Sequence, residues 1–138
     1  MNIWANLGLV AVGGAIGASG RYLVGYLIPS PRFPIATFLI NASGCLFIGI
    51  LLGLASSPLL ASSVKHLLRL TAVGVIGGYT TFSTYAFETV ALLEEHRLAA
   101  AIGNVLGQTV LGLILVAAGS HTAHWLLNLR PGKEAFRD

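Results

Sequence analysis

Long apolar stretches separated by short polar connections run through almost the whole chain. The first three extend over about Ile3 to Ile28, Phe33 to Leu54 and Leu67 to Leu93. The fourth begins at Leu98, and no Asp, Glu, Lys or Arg interrupts it before Arg130. A helix needs about 20 mostly apolar residues to cross a bilayer. The pattern therefore predicts an all-α membrane protein with four transmembrane helices.

The composition supports lipid as the surrounding solvent. Of the 138 residues, 55% are hydrophobic and 9% are charged, whereas soluble domains carry about 25% charged residues. A soluble fold of this size has too much surface to hide so many apolar side chains. We therefore predict one four-helix transmembrane domain over residues 1–129 and a polar C-terminal tail over 130–138. The few basic residues are scattered, so no nucleic-acid partner is predicted.

The positive charges in the connections do not predict the orientation of the chain in the membrane. Four spans place both termini on one side together with Lys65 and Arg69, while the other side holds Arg32 and Arg97. Without the tail the balance is two against two, so the positive-inside rule favours neither orientation. Two possibilities are open: a single orientation set by other features, or dual topology, in which the chain inserts both ways and pairs antiparallel.

A polar pair lies in the middle of the second stretch. Thr37 and Asn41 are four residues apart and share one helix face. Polar groups within a membrane are costly and usually functional, and the Asn41 amide offers two N–H donors to an anion. A hydrogen bond between helices is the alternative, because such bonds are common in membrane bundles.

The third stretch combines paired glycines with a run of hydroxyl groups. Gly77 and Gly78 precede Tyr79–Tyr85, in which six of the seven residues carry a hydroxyl. This combination predicts a helix broken in mid-membrane, whose freed carbonyls would suit a hard monovalent cation. The alternative is a continuous glycine-rich helix in which the hydroxyls bond back to the preceding turn.

Two aromatic residues lie within the same run. Phe82 and Tyr85 are three residues apart and share one face of an intact helix. Aromatic ring edges carry positive potential, and two of them can line an anion path without binding the ion too tightly to release it. Ordinary aromatic packing is the alternative.

Further polar residues lie in the first, third and fourth stretches. Asn104 and Gln108 align one turn apart, with Thr109 beside them, and this row faces either the polar pair of the second stretch or a partner subunit. Arg21 and Glu88 each lie near a helix end, where extension of the side chain to water is the default. A role in a vestibule is the alternative for these two.

Three motifs occur in order on the first three stretches. A glycine-rich segment begins at Gly13 and closes in Arg21-Tyr22. The second motif is Thr-x-x-x-Asn-x-x-Gly from Thr37 to Gly44, and the third is Gly-Gly-x-Thr-Thr-Phe-Ser-Thr-Tyr from Gly77 to Tyr85. Together they resemble the CrcB/Fluc family of small bacterial fluoride channels, whose Gly-Gly-x-Thr-Thr-Phe-Ser-Thr-Phe signature is highly specific.

The resemblance implies an antiparallel, dual-topology homodimer with two fluoride pores in the inner membrane of a bacterium. It also implies a structural sodium ion at the dimer centre, bound by the backbone carbonyls of Gly77 and Thr80 from both subunits. Arg21 and Glu88 are the candidate vestibule residues from their positions near the helix ends. The fluoride pathway that the resemblance implies comprises Asn41, Phe82, Tyr85, Thr37, Ser83, Thr84, Gln108 and Thr109.

The chain departs from the family pattern at two places. Tyr85 stands where the family has its second pore phenylalanine, which keeps the ring edge and adds a hydroxyl. Asn104 and Gln108 stand where the family usually has an aromatic residue and then Ser or Thr one turn later. Gln108 still offers N–H donors to that half of the pathway.

The expected function is a fluoride-selective channel that exports fluoride passively and relieves its toxicity. A small proton-coupled multidrug-type transporter is the alternative, but it needs a carboxylate in mid-membrane and Glu88 is the only candidate. A scaffold protein without transport activity would explain the glycines but not Asn41. No nucleotide-binding run or nucleophile–base set is visible, so no enzymatic activity is predicted.

Overall fold

The computed structural model describes residues 2–128, which form helices joined by short connections and contain no strand. The all-α prediction is therefore confirmed for this part of the chain. The three long helices are α1 (Ile3–Leu27), α2 (Ile35–Ser56) and α6 (Leu98–Asn128). Between α2 and α6 lie α3 (Ser62–Thr71), a π-helical segment (Ala72–Ile76), α4 (Gly77–Tyr79) and α5 (Phe82–Glu94). The predicted polar tail, 130–138, lies outside the described residues.

Three of the predicted spanning helices are confirmed by length and composition. Within residues 2–128, α1, α2 and α6 are long and apolar enough to cross a membrane. The region of the third predicted span is divided into shorter helices, of which α3 has 10 residues and α5 has 13. Each of these alone is shorter than the roughly 20 residues that a crossing requires.

Local sequence accounts for several helix ends. The Asn2 side chain caps α1 by accepting a hydrogen bond from the backbone N–H of Trp4 at 3.2 Å. Pro29 and Pro31 follow α1, and Pro34 directly precedes α2. Proline lacks the N–H that a continuing helix needs, so these residues separate the two helices. Between α5 and α6 the chain reverses at His96, which has a φ of 57°.

Glycines allow the helices to pack backbone against backbone. Helix α2 packs along α6, and α1 packs against the π-helical segment and α4. A Cβ atom on Gly49 would collide with the carbonyl of Val116 on α6. One on Gly17 would lie 2.7 Å from the backbone nitrogen of Tyr79. Close approach of this kind holds membrane helices together without a large apolar core.

The outside of the bundle is apolar and its interior contains polar groups. Phe87 on α5 and Leu113 on α6 are largely exposed, whereas the Asn104 side chain is fully buried. Membrane proteins turn their polar side chains towards the bundle interior, since lipid offers them no partners. The distribution therefore suits a helical bundle in lipid.

Candidate functional site

Two residues in extended conformation separate α4 from α5. Thr80 has a ψ of 161°, and Thr81 has φ and ψ of −149° and 119°. The side chain of Asn41 on α2 pairs with the backbone of Thr81. The Thr81 N–H donates to Asn41 Oδ1 at 2.9 Å, and Asn41 Nδ2 donates to the Thr81 carbonyl at 3.0 Å. Backbone groups freed from a helix need such partners, so Asn41 stabilises the interruption.

Hydroxyl groups next to the interruption begin α5. Thr81 is the N-terminal cap, because its Oγ1 accepts a hydrogen bond from the backbone N–H of Thr84 at 3.1 Å. The same hydroxyl donates to Thr84 Oγ1 at 3.0 Å and lies 3.3 Å from Ser83 Oγ. The predicted pathway residues Ser83 and Thr84 therefore lie in the first turn of α5, beside the interruption.

A cleft of about 350 Å³ opens next to the interruption. The aromatic rings of Phe82 and Tyr85 have centroids 5.6 Å apart and are tilted by 51°. Phe82 is 80% exposed, so this wall of the cleft is open in the single chain. The cleft brings together five residues that the sequence assigned to a fluoride pathway: Asn41, Phe82, Tyr85, Gln108 and Thr109.

A continuous chain of hydrogen bonds, which we call the amide chain, runs from the interruption to the contact between α5 and α6. Asn41 Nδ2 donates to Gln108 Oε1 at 2.7 Å, and Gln108 Nε2 donates to Asn104 Oδ1 at 2.8 Å. Asn104 Nδ2 donates to Thr89 Oγ1 at 2.9 Å, and Thr89 Oγ1 donates to the Tyr85 carbonyl at 2.7 Å. The polar row of α6 thus faces Asn41 within one chain.

Thr81 and Thr89 take part in this arrangement, although the sequence analysis assigned neither of them to a site and noted Thr81 only as part of the hydroxyl run. A signal for Thr89 exists: it follows Tyr85 by four residues and therefore shares its helix face. Thr81 contributes backbone N–H and C=O groups to Asn41, and residue spacing does not reveal contributions from the backbone.

A larger cavity of about 600 Å³ shares Thr81 with the cleft. The predicted pathway residues Thr37 and Thr84 line it. Charged residues also line it, with three cations against two carboxylates: Arg21, Arg32, Arg97, Glu88 and Glu95. A cavity with an excess of positive charge raises the local concentration of anions.

Arg21 and Glu88 bind polar groups inside the bundle. Arg21 Nη1 donates to the Thr80 carbonyl at 3.3 Å, and Thr37 Oγ1 donates to Glu88 Oε1 at 2.8 Å. The Oε2 atom of Glu88 is buried and has no hydrogen-bond partner within residues 2–128. The two side chains therefore differ from ordinary flanking charges that extend past a helix end to water, and both line the larger cavity.

The carbonyls considered for sodium belong to Gly77, the first residue of the short helix α4, and to Thr80, which directly follows α4. In a continuous helix the Thr81 N–H would donate to the Gly77 carbonyl, but here it donates to Asn41. The Thr80 carbonyl accepts from Arg21, and a carbonyl oxygen has a second lone pair. Unwound carbonyls at a helix C-terminus suit sodium, so this donor set fits that ion. Residues 2–128 hold no cluster of His, Cys, Asp and Glu suited to another metal.

The family model for CrcB-like protein, Camphor Resistance (CrcB), matches residues 8–120. The chain belongs to the CrcB family. The matched range includes every residue assigned above to the pathway, the vestibule and the sodium ligands. Membership of the CrcB family, together with three spanning helices, makes the chain a multi-pass membrane protein.

Curated relatives cover most of the chain. A fluoride-specific ion channel FluC of Chloroflexus aurantiacus is 43% identical over 124 residues, which are 87% of this chain and 96% of that protein. The protein of the same name from Helicobacter acinonychis is 40% identical over 122 residues, 85% of this chain and 90% of its own. The protein of the same name from Paracoccus denitrificans is 42% identical over 112 residues, which are 80% of this chain and 87% of that protein.

Proposed function

We propose that this CrcB protein is a fluoride-selective ion channel through which fluoride leaves the cytoplasm passively, which relieves fluoride toxicity. The similarity to relatives named fluoride-specific ion channels, 40–43% identity over most of both chains, carries this conclusion. The cleft adds physical support, because it places two aromatic rings beside a side-chain amide at an interrupted helix.

The proposed pathway follows the two cavities. Anions collect in the larger cavity, where Arg21 and Glu88 form the vestibule, and reach the cleft past the interruption at Thr81. Thr81 lines both cavities, which supports a route from one to the other. The residues proposed to line the route are Asn41, Phe82, Tyr85, Thr37, Ser83, Thr84, Gln108 and Thr109.

Selectivity for fluoride requires that protein groups replace the water molecules that hydrate the ion. Fluoride is small and strongly hydrated, so a pathway must offer hydrogen-bond donors in place of lost water or entry is too costly. Ring edges of Phe82 and Tyr85 add weak positive potential without a full charge. Binding then stays weak enough for the ion to leave, and a narrow track excludes the larger chloride ion.

The proposed architecture is a four-span subunit in an antiparallel, dual-topology homodimer with two pores. Residues Ser62–Glu94 would form the remaining span, interrupted in mid-membrane at Thr80 and Thr81. The balanced basic residues of the connections support insertion in both orientations. The 80% exposure of Phe82 supports a second subunit that closes the open wall of the cleft. The proposed location is the inner membrane of a bacterium.

A structural sodium ion at the dimer centre is part of the proposal. The Gly77 and Thr80 carbonyls of the two subunits would bind it, and the ion would satisfy carbonyl groups that the interruption frees. Its contribution would be structural, since it joins the two interrupted helices.

A proton-coupled multidrug-type transporter is not favoured. Such a transporter needs a mid-membrane carboxylate that exchanges protons for cations, and Glu88 is instead bonded to Thr37 beside three arginines. The similar proteins are named as ion channels. We therefore propose no enzymatic activity.

The test is fluoride efflux from liposomes that hold the purified protein, with a potassium ionophore to carry the counter-charge. Fast fluoride efflux without chloride efflux is the expected result, and empty liposomes are the control. Absence of fluoride efflux from dimeric protein in sodium-containing buffer would contradict the proposed function.

A further inference from the structure

The short helix α3 has a polar face and an apolar face. The polar residues of α3 are spaced so that they share one side of the helix: Ser62, Lys65, His66 and Arg69. Val64 and Leu67 lie on the other side, and both are exposed. A helix with a basic face and an apolar face is typical of the boundary between lipid headgroups and acyl chains.

A tryptophan on the neighbouring helix indicates the depth of this polar face. Trp4, at the start of α1, is largely exposed, and exposed tryptophan favours the interface between membrane and water. Asn6 lies about 3 Å further along α1 than Trp4, and Asn6 Oδ1 is 3.1 Å from His66 Nε2 on α3. The polar face of α3 therefore lies beside α1 near the depth of Trp4.

The length of the helical segment gives a second estimate of the depth. Arg69 precedes Thr80 by about 16 Å, at a helical rise of about 1.5 Å per residue. Half of the hydrocarbon layer is about 15 Å thick, so the mid-membrane interruption proposed above places Arg69 at the edge of the headgroup layer. Lys65 lies one turn further out. Both side chains therefore reach the layer that contains the lipid phosphates.

Charge at this end of the bundle is positive. Within residues 2–128, the carboxylates belong to α5 and the turn after it: Glu88, Glu94 and Glu95. That turn and the end of α1 line the larger cavity, whereas α3 bonds to the start of α1, so these carboxylates lie at the opposite end. The described residues form an ion pair between Arg97 and Glu95 and none at Lys65 or Arg69. An anionic group from outside the described residues therefore complements this face of α3.

We propose that Lys65 and Arg69 bind the headgroup of an anionic phospholipid. The two side chains are four residues apart on one face, so one phosphate can accept hydrogen bonds from both. The acyl chains then enter the hydrocarbon layer along exposed apolar side chains such as Leu67. The bound lipid holds the start of α3 at the membrane surface, and α3 leads through the π-helical segment to the interruption. This site adds lipid recognition to the proposed ion conduction.

Native mass spectrometry of the purified protein tests the site, with dioleoylphosphatidylglycerol as the probe and dioleoylphosphatidylcholine as the zwitterionic comparison. The wild type should bind one phosphatidylglycerol per subunit more tightly than phosphatidylcholine. Lys65→Gln combined with Arg69→Gln should weaken phosphatidylglycerol binding roughly 30-fold, which corresponds to about 1 kcal/mol for each basic residue. Equal affinity of the wild type for the two lipids would overturn the proposal.

The matched control is Arg32→Gln combined with Arg97→Gln, which removes the same charge at the opposite end of the bundle. This control should keep the wild-type affinity for phosphatidylglycerol. The same loss of affinity in both double variants would show that only the net charge of the protein matters, and it would overturn a site on α3.

A second measurement uses the wild type alone and stands even if the double variant at Lys65 and Arg69 fails to fold. Backbone hydrogen exchange is followed in nanodiscs of phosphatidylcholine with and without phosphatidylglycerol. Exchange in Ser62–Thr71 should slow when phosphatidylglycerol is present, and exchange in the turn after α5 should not change. Exchange in α3 that is the same in both nanodiscs would contradict lipid binding there.

Inorganic phosphate, added to nanodiscs of phosphatidylcholine alone, separates a lipid site from a site for the free ion. It should leave the exchange of α3 unchanged. Slowing equal to that caused by phosphatidylglycerol would show a site for free phosphate and would overturn the lipid assignment. Neither lipid measurement uses fluoride, so a lack of fluoride efflux would contradict the proposed function and leave this proposal standing.

Discussion

Asn41 forms hydrogen bonds with two kinds of partner, backbone and side chain, which the sequence pattern alone does not distinguish. The sequence marked it as a polar residue in an apolar helix, suited either to an anion or to a neighbouring helix. In the structure it bonds the freed backbone of Thr81 and the Gln108 side chain at the same time. The residue therefore joins three segments of the chain at the wall of the cleft.

Asn41→Asp should abolish fluoride efflux. The aspartate keeps an acceptor for the Thr81 N–H, but it places an oxygen against the Thr81 carbonyl and Gln108 Oε1 and adds a negative charge beside an anion path. The measurement is efflux from liposomes at neutral pH, with dimer content checked first. Asn6→Asp is the matched control, because Asn6 on α1 bonds His66 and lines neither cavity. Normal efflux from Asn41→Asp would exclude Asn41 from the pathway.

At the scale of elements, the contact between α1 and the interrupted region depends on glycine. A Cβ atom on Gly17 would collide with the Val75 carbonyl and lie 2.7 Å from the Tyr79 nitrogen. Both obstacles are backbone atoms, which cannot rotate away as a flexible side chain can. The π-helical segment and α4 therefore keep their place against α1 only while this position has no side chain.

Gly17→Ala should destabilise the protein by about 1–3 kcal/mol, the range for overpacking at a close contact. The measurement is the temperature at which purified protein in detergent loses its folded, dimeric fraction. Gly25→Ala on the same helix is the control, since a Cβ atom there meets nothing within 4 Å, and this variant should match the wild type. Equal stability of the two variants would show that α1 does not pack as described.

The element pattern also shows where periodicity stops being informative. The hydrophobic runs of α1, α2 and α6 predict three spanning helices, because each run is long and uninterrupted. The third run also has spanning length, yet its residues lie in α3, the π-helical segment, α4 and α5. Hydropathy predicts which segments prefer lipid. It does not predict where the backbone leaves the helix and forms hydrogen bonds with side chains.

At the scale of the whole molecule, the single chain leaves one wall of the cleft open. Phe82 is 80% exposed although it lies beside Tyr85 in the cleft. The Gly77 and Thr80 carbonyls are the ligands proposed for one sodium ion between two subunits. Assembly and ion binding are therefore expected to depend on each other.

Removal of sodium should weaken the dimer. An ion that binds only the dimer stabilises the dimer, and this stabilisation grows with the logarithm of the ion concentration. The dimeric fraction in detergent, measured by light scattering after size-exclusion chromatography, should fall when N-methylglucamine replaces sodium at equal ionic strength. Restoring sodium should recover both the dimer and fluoride efflux. A dimeric fraction that is the same in both buffers would contradict a structural sodium ion.

The sequence by itself determined the solvent, the helical class and five of the residues around the cleft. Apolar runs of spanning length admit few folds in lipid, and Asn41, Phe82, Tyr85, Gln108 and Thr109 stand out as polar or aromatic residues within those runs. The tertiary structure decided which partner each polar group takes. Asn41 meets Thr81 and Gln108 only because α2, the start of α5 and α6 come together, and the direction of an amide depends on those distant partners. Residue spacing does not reveal these pairings, because hydrogen bonds between segments far apart in sequence leave no trace in it.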